Sequence, residues 1–214
     1  MECYSAVKVS GHEEFLGKID TLPRAEIRNY PWGGEYSPKS YGVLAWDGGG
    51  MHIYMRSYET VVRTEIRHDN GDVYTDSCLE FFFSPMPDKS DFYFNFEVNP
   101  LGNLYLAYGP EEENDRKLLT GERYNHFGIA QRAEADIKNG EFWEWSGYIP
   151  FAFVTDHASE FKPRAGMQFR GNFFKCGEFT QCPHYGTWND IIPDGGEPQF
   201  HQTKYFGAID FVNK

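Results

Sequence analysis

The stretch Asp72–Asn99, DVYTDSCLEFFFSPMPDKSDFYFNFEVN, decides the fold. It reads as two β-strands around a proline-containing turn. In the first, Cys78 to Ser84, the side chains of Leu79, Phe81 and Phe83 share one face and Glu80 stands on the other. In the second, Phe92 to Asn99, the face of Phe94, Phe96 and Val98 opposes that of Asn95, Glu97 and Asn99. Successive side chains of a pleated strand point to opposite sides, so strict alternation marks a strand with one buried face. One side of the pair is phenylalanine core. The other carries carboxylates and amides on a rigid support, and function is expected there.

The same grammar extends in both directions. Tyr4 to Val9 alternates weakly and reads as an edge strand, and Arg24 to Trp32 reads as extended. Tyr41–Trp46 and Met51–Tyr58 form a hairpin through Asp47-Gly48-Gly49-Gly50, a turn composition suited to joining strands. Downstream, strands are expected at Asn103–Tyr108, Phe142–Ile149, Met167–Lys175 and Tyr205–Val212. Phe127–Ile137 is compatible with a strand or a short helix, Phe151–Phe161 holds the one helical turn of note, and Thr180–Gln202 is a long turn-rich excursion. About ten short strands separated by turns predict an all-β fold, an antiparallel two-sheet β-sandwich of jelly-roll or immunoglobulin-like kind. A length of 214 residues fits a single domain over 1–214 with a substantial core.

Composition narrows the function classes. Nineteen Phe, 14 Tyr and 5 Trp make the chain 18% aromatic, which favours strands and supplies stacking surfaces. The formal charge of −12 would repel a phosphate backbone, so nucleic acid is not an expected partner. No apolar run approaches the ~20 residues of a membrane helix, so no membrane partner is expected either. Cys3, Cys78, Cys176 and Cys182 are too few for a dense disulfide framework, and Cys78 reads as a small apolar strand residue. The start, MECYSAVKVSGHEEF, lacks a basic segment followed by an apolar one. A cytoplasmic location is expected unless a leader has been trimmed.

Several residue groups could carry chemistry. Glu80, Asn95 and Glu97 on one face, with Asn172 or Lys175 from a nearby strand, could match the hydroxyl pairs of a sugar, since carboxylates accept and Lys donates. Alternate positions of an antiparallel sheet are also ordinarily solvated, and spacing alone favours that reading. Trp46, Trp143 and Trp145 read as core, whereas Trp32 and Trp188 lie beside loop signals, with Trp188 the better candidate for a binding rim. Asp69-Asn70-Gly71-Asp72 is a turn signal. Asp69 and Asp72 are also weak Ca²⁺ candidates, at a spacing that does not fit an EF-hand loop. Cys176, Cys182 and His184 lack a second ligand pair for zinc. An enzymatic alternative places Glu80 and Glu97 on facing strands, at about 5–5.5 Å for a retaining glycoside hydrolase and farther for an inverting one. No nucleophile elbow, P-loop or zincin motif accompanies them.

The motifs DSCLEFFF, NFEVNPLGNL, SGYIPF, GNFFKCG, TWND and QFHQTKYFGAIDF occur in that order across residues 76–211. As an ordered set they resemble the family 9 carbohydrate-binding modules, in particular the family-9-like branch, from about Pro31 onward. The resemblance implies a non-catalytic β-sandwich gripping the end of a mono- or oligosaccharide, such as a xylan or glucan fragment, often beside a glycoside hydrolase system. It implies no required cofactor, with structural Ca²⁺ as the metal found in the family. The family's two stacking aromatics fall at Tyr74 and Phe200, its carboxylate at Glu80, its strand amide at Asn95 and an upstream tryptophan at Trp188. Tyr74 and Phe200 stand where the best-known members carry Trp, and Glu97 stands where a basic residue is expected. Those departures leave open a protein-interaction module with a decayed sugar site.

Overall fold

The computed structural model describes residues 1–112, 115–119, 130–135 and 142–213. Strands form at Cys3–Lys8 (β1), Ala25–Ile27 (β2), Ser40–Trp46 (β3), Gly50–Ser57 (β4), Cys78–Ser84 (β5), Tyr93–Val98 (β6) and Leu104–Gly109 (β7). They continue at Lys117–Leu118 (β8), Ala130–Ala135 (β9), Trp143–Pro150 (β10), Gln168–Gly177 (β11), His184–Thr187 (β12) and Gly207–Val212 (β13). Helices are short, at His12–Lys18 (α1) and Phe151–His157 (α2). The ambiguous Phe127–Ile137 segment is a strand over Ala130–Ala135, and its remaining positions lie outside the described residues.

The chain is all-β, but the expected pair of antiparallel sheets is replaced by one continuous, mixed, curled sheet. Its order is β8-β7-β6-β5-β11-β13-β1-β3-β4-β10-β9, with β12 added on β11 and β2 on β3. The mixed character comes from β1, which runs parallel to both β13 and β3. The segment read as an edge strand is thus central. Its weak alternation is explained by its surroundings: Tyr4 is buried, and its hydroxyl donates to the Pro23 carbonyl at 2.7 Å and accepts from the Leu44 amide at 2.9 Å.

Curling brings the two halves of the sheet face to face. Gly42 on β3 and Phe173 on β11 are separated by two strands in the sheet order, yet a Cβ on Gly42 would run into the Phe173 ring. One apolar cluster joins Leu44, Ile53, Met55 and Trp145 from one half to Leu79, Phe81, Phe96 and Phe173 from the other. The phenylalanine face of the opening stretch is the wall of this core. Phe81 stacks on Phe173 at 4.6 Å between centroids and Phe83 on Phe94 at 5.0 Å, within the range of favourable aromatic pairs.

Helix α1 has no counterpart in the sequence reading. Over seven residues, HEEFLGK, only Phe15 is buried, so there is no repeated apolar stripe to detect. Its charge order is the remaining trace: Glu13 and Glu14 in the first turn and Lys18 in the last complement the helix dipole. α1 covers the outer face of β3 and β4, where Tyr41, Val43 and Tyr54 cluster with Phe15.

Candidate functional site

The polar face of the opening stretch is not solvated. Glu80 and Asn95 are buried with Glu97, because two loops close over that side of the sheet. The first holds the short 3-10 turn Val73–Thr75. It is fixed by Asp76, a fully buried carboxylate that accepts the Glu65 and Ile66 amides at 2.9 Å and the Asn99 side-chain amide at 3.0 Å, and pairs with Arg63. The turn also receives the end of β11, through the Glu178 amide to the Tyr74 carbonyl.

The second loop descends from β12 to β13 and carries Phe200 and His201. Phe200 lies flat on Phe174 of β11, at 4.3 Å and an interplanar angle of 13°. One face of its ring is therefore taken. His201 packs against Phe82 at 4.9 Å and its Nδ1 shares a hydrogen bond with the Tyr93 hydroxyl. Burial and the nearby Arg116 push the His201 imidazole down to about 3, so it is neutral at physiological pH.

Between these loops lies an open cavity of about 430 Å³, within the ~300–1,000 Å³ of small-molecule clefts. Its aromatic lining is Tyr74, Tyr105, Tyr185 and Phe200. Its polar lining is Asp72, Glu80, Glu97, Arg116, Cys176, Glu178, Gln199 and His201. Tyr74 is 36% exposed and Phe200 8%, so one aromatic stands at the mouth and the other lies deeper. Glu80 and Glu97 are direct cross-strand partners. Arg116 sits over the Tyr93 ring at 3.8 Å and donates to the Asn95 side-chain oxygen; Asn95 in turn donates to Glu97 Oε1 at 2.7 Å. Asn95 thus lies one layer beneath the cavity and couples its cation to its carboxyl.

Burial pushes the Glu80 carboxyl well above the ordinary carboxylate range, with Cys176 and Glu97 adding to the effect. Burial raises Glu97 from 4.5 to about 7, against the Asn95 hydrogen bond and the Arg116 charge. At Glu97 the folded protein therefore holds a proton that the unfolded chain releases once pH exceeds about 4.5, so the stability this group contributes falls as pH rises toward 7 and levels off above it. Glu97→Gln is expected to reduce that fall by on the order of 2 kcal/mol between pH 5 and 8. Urea denaturation at a series of pH values checks it, and an unchanged slope would show that Glu97 is ionised in the fold.

Of the residues singled out from sequence, Tyr74, Glu80 and Phe200 meet at this cavity, with Asn95 behind it. Asn172, Lys175 and Trp188 do not line it. Asn172 is buried, donates to the Asn189 and Tyr205 carbonyls, and accepts the Asn189 amide at 2.9 Å; it anchors the loop that carries Phe200. Lys175 points through the opposite face of β11, 3.2 Å from the buried Glu59. Trp188 is core rather than rim, edge-on to Tyr4 at 6.1 Å. Trp32, ranked below it, packs edge-on against Phe200 at 5.7 Å. Nothing in the local sequence distinguishes these outcomes, because each depends on which strand lies opposite.

The Asp69 carboxylate accepts the Leu104 amide at 3.0 Å, Asn70 adopts φ 56° as the turn requires, and Asp72 faces the cavity. Among the described residues neither Asp69 nor Asp72 belongs to a group of three metal-ligating side chains. His184 turns its Nδ1 to the Cys182 carbonyl at 2.7 Å and its Nε2 toward Glu59, away from the buried Cys176 thiol, which bonds Glu80 instead. Arg116, Tyr105, Tyr185, Glu178 and Gln199 were missed. Tyr105 alternates in a legible strand and could have been found; Arg116 sits in the charged run EEENDRK at residues 111–117, which carries neither strand alternation nor a motif.

A family model described as carbohydrate-binding family 9 matches residues 15–211 of the chain. No curated protein matches it. Among solved structures, a protein from Bacteroides uniformis described as carbohydrate-binding is 26% identical, with a TM-score of 0.82 over 98% of this chain and 99% of that one. A family 9 carbohydrate-binding module from Caldicellulosiruptor kristjanssonii in complex with cellotriose is 12% identical, with a TM-score of 0.66 over 100% of this chain and 95% of that one. The same organism's module in complex with glucose gives 0.65 at 12% identity, over 100% and 97% of the two chains. At that identity the likeness to the Caldicellulosiruptor module is one of fold.

Proposed function

Since the chain belongs to carbohydrate-binding family 9, we propose that its cavity holds the end of a glucan- or xylan-type oligosaccharide without cleaving it. We take residues 1–214 as one module and the curled sheet as its sandwich. The observation that carries the reading is convergence: Tyr74, Glu80 and Phe200, far apart in sequence, line one open cavity. An aromatic face accepts the C–H face of a sugar ring, and Tyr74 and Phe200 supply two. Carboxyl groups at Glu80 and Glu97, the Arg116 guanidinium and the Gln199 amide supply acceptors and donors for hydroxyls. The Caldicellulosiruptor module is seen with glucose and cellotriose, so glucose-type sugars are the first ligands to try.

A hydrolase would use Glu80 and Glu97. A retaining enzyme needs one ionised carboxylate as nucleophile beside one protonated acid. Here burial raises both carboxyls, and the glycoside assay below separates the two readings.

Isothermal titration with glucose, cellobiose and xylobiose tests the proposal. At least one of them is expected to bind saturably, and Tyr74→Ala is expected to weaken that sugar about tenfold, or ~1.4 kcal/mol. Tyr74 stands at the mouth, so the melting temperature should hardly change. Equal affinity in the variant would remove Tyr74 from the site. Release of aryl alcohol from an aryl glycoside, lost in Glu80→Gln, would favour the hydrolase.

A further inference from the structure

We propose that Cys78, Glu80 and Cys176 form a site for one soft or borderline divalent cation, of the Zn²⁺ class, in the floor of the cavity. The proposal does not depend on a sugar occupying the space above. Cys78 and Cys176 are register partners across β5 and β11, and Glu80 lies two residues from Cys78 on the same side of its strand. The two sulfurs and a carboxylate oxygen all lie within 4.8 Å of one another. Both thiols are buried and neither is in a disulfide. The Cys176 Sγ already donates to Glu80 Oε1 at 2.9 Å, so two of the three ligand atoms are aimed at a common point.

These separations suit a small tetrahedral ion. Zn–S bonds of about 2.3 Å place two sulfur ligands about 3.8 Å apart, within the spread seen here. Two thiolates and one carboxylate select Zn²⁺, Cd²⁺ or Co²⁺ over Ca²⁺ or Mg²⁺, which take oxygen ligands in larger number. Glu80 and Cys176 line the cavity whereas Cys78 lies behind them, so a fourth position opens toward the cavity, where water or a ligand hydroxyl can enter. Three protein ligands with one open position is the arrangement of exchangeable rather than closed zinc sites. On binding, each thiol loses its proton to solvent and the metal–sulfur bond replaces the S–H bond, and the Glu80 carboxyl releases its proton to solvent as a metal–oxygen bond forms. Burial raises both thiols when no cation is near, and a bound dication reverses that penalty. The buried carboxyl of Glu80 likewise gains a countercharge.

The test uses the reduced, metal-free full chain carrying Cys3→Ser and Cys182→Ser. Those two cysteines are exposed, so the variant leaves only the buried thiols. Titration with Co²⁺ is expected to give a thiolate-to-cobalt charge-transfer band that saturates at one Co²⁺ per chain and bleaches on adding Zn²⁺. Adding Glu80→Gln should weaken Co²⁺ at least about tenfold, and adding Cys176→Ser should abolish the band. Absence of the band in the parent double variant, which leaves the core untouched, overturns the proposal. So does a band that Cys176→Ser leaves unchanged. Because the titration contains no sugar, its failure leaves the carbohydrate reading standing.

Discussion

Asp76→Ala is expected to destabilise the protein by about 3–5 kcal/mol, the range for stripping one partner from a buried charged network. Its carboxylate is fully buried and is the shared acceptor of two backbone amides, the Asn99 side chain and Arg63. Alanine leaves all of these donors facing each other without an acceptor. For a chain of this size the loss corresponds to roughly 10 °C in melting temperature. The consequence reaches the cavity, because Asp76 closes the turn that presents Asp72 and Tyr74. Any variant protein still folded should therefore bind sugar more weakly than Tyr74→Ala does. Asp76→Asn keeps one acceptor oxygen and should recover part of the stability. Urea denaturation followed by tryptophan fluorescence checks both, and a loss below about 1 kcal/mol, the worth of a single ordinary hydrogen bond, would contradict the network reading.

Lys175→Met is expected to cost a similar amount, about 3–5 kcal/mol, for a different reason. The Lys175 ammonium and the Glu59 carboxylate are completely buried side by side, and Glu59 also accepts from Trp143 Nε1 and Ser77 Oγ. Next to them His184 is neutral, its imidazole pushed down to about 3 by burial and by Lys175. Removing the ammonium leaves an unpaired charge in the core. Glu59→Gln in the same chain should restore part of the loss, because it removes the charge; Trp143 and Ser77 donate to different carboxylate oxygens, so the single amide oxygen keeps one of these two bonds. Sugar affinity should be unchanged in Lys175→Met at temperatures where it is folded. A stable variant with lost affinity would return Lys175 to the binding site.

Lys175 also shows where sequence reasoning stops. Alternation correctly separates the two faces of β5 and β6, and the strand bounds at Cys78–Ser84 coincide with those of β5. The hairpin through Asp47 forms as read, its carboxylate accepting the Gly49 and Gly50 amides. What alternation cannot supply is the identity of the opposing surface. Lys175 alternates with Phe174 and Cys176, so it leaves the face that carries the cavity, and the curl of the sheet sets it against Glu59. Asn172 shares the Phe174 side of β11 but is taken up by the Asn189 and Tyr205 backbone, and Trp188 packs into the core against Tyr4 and Phe173. The central position of β1 depends on parallel pairing with β13, some two hundred residues away, and parallel neighbours leave no turn signal between them. Tyr74, Glu80 and Phe200 became legible through the ordered family motifs rather than through local pattern. The Cys78–Glu80–Cys176 grouping needed the β5–β11 register, which no spacing in the chain displays.

A crystal of the protein soaked with cellobiose tests the central claim most directly. The account predicts a sugar ring in the cavity between the two loops, in contact with Tyr74 and Phe200, with a hydroxyl within hydrogen-bond distance of Glu80. A well-ordered sugar bound on another surface, with this cavity holding only water, would contradict it.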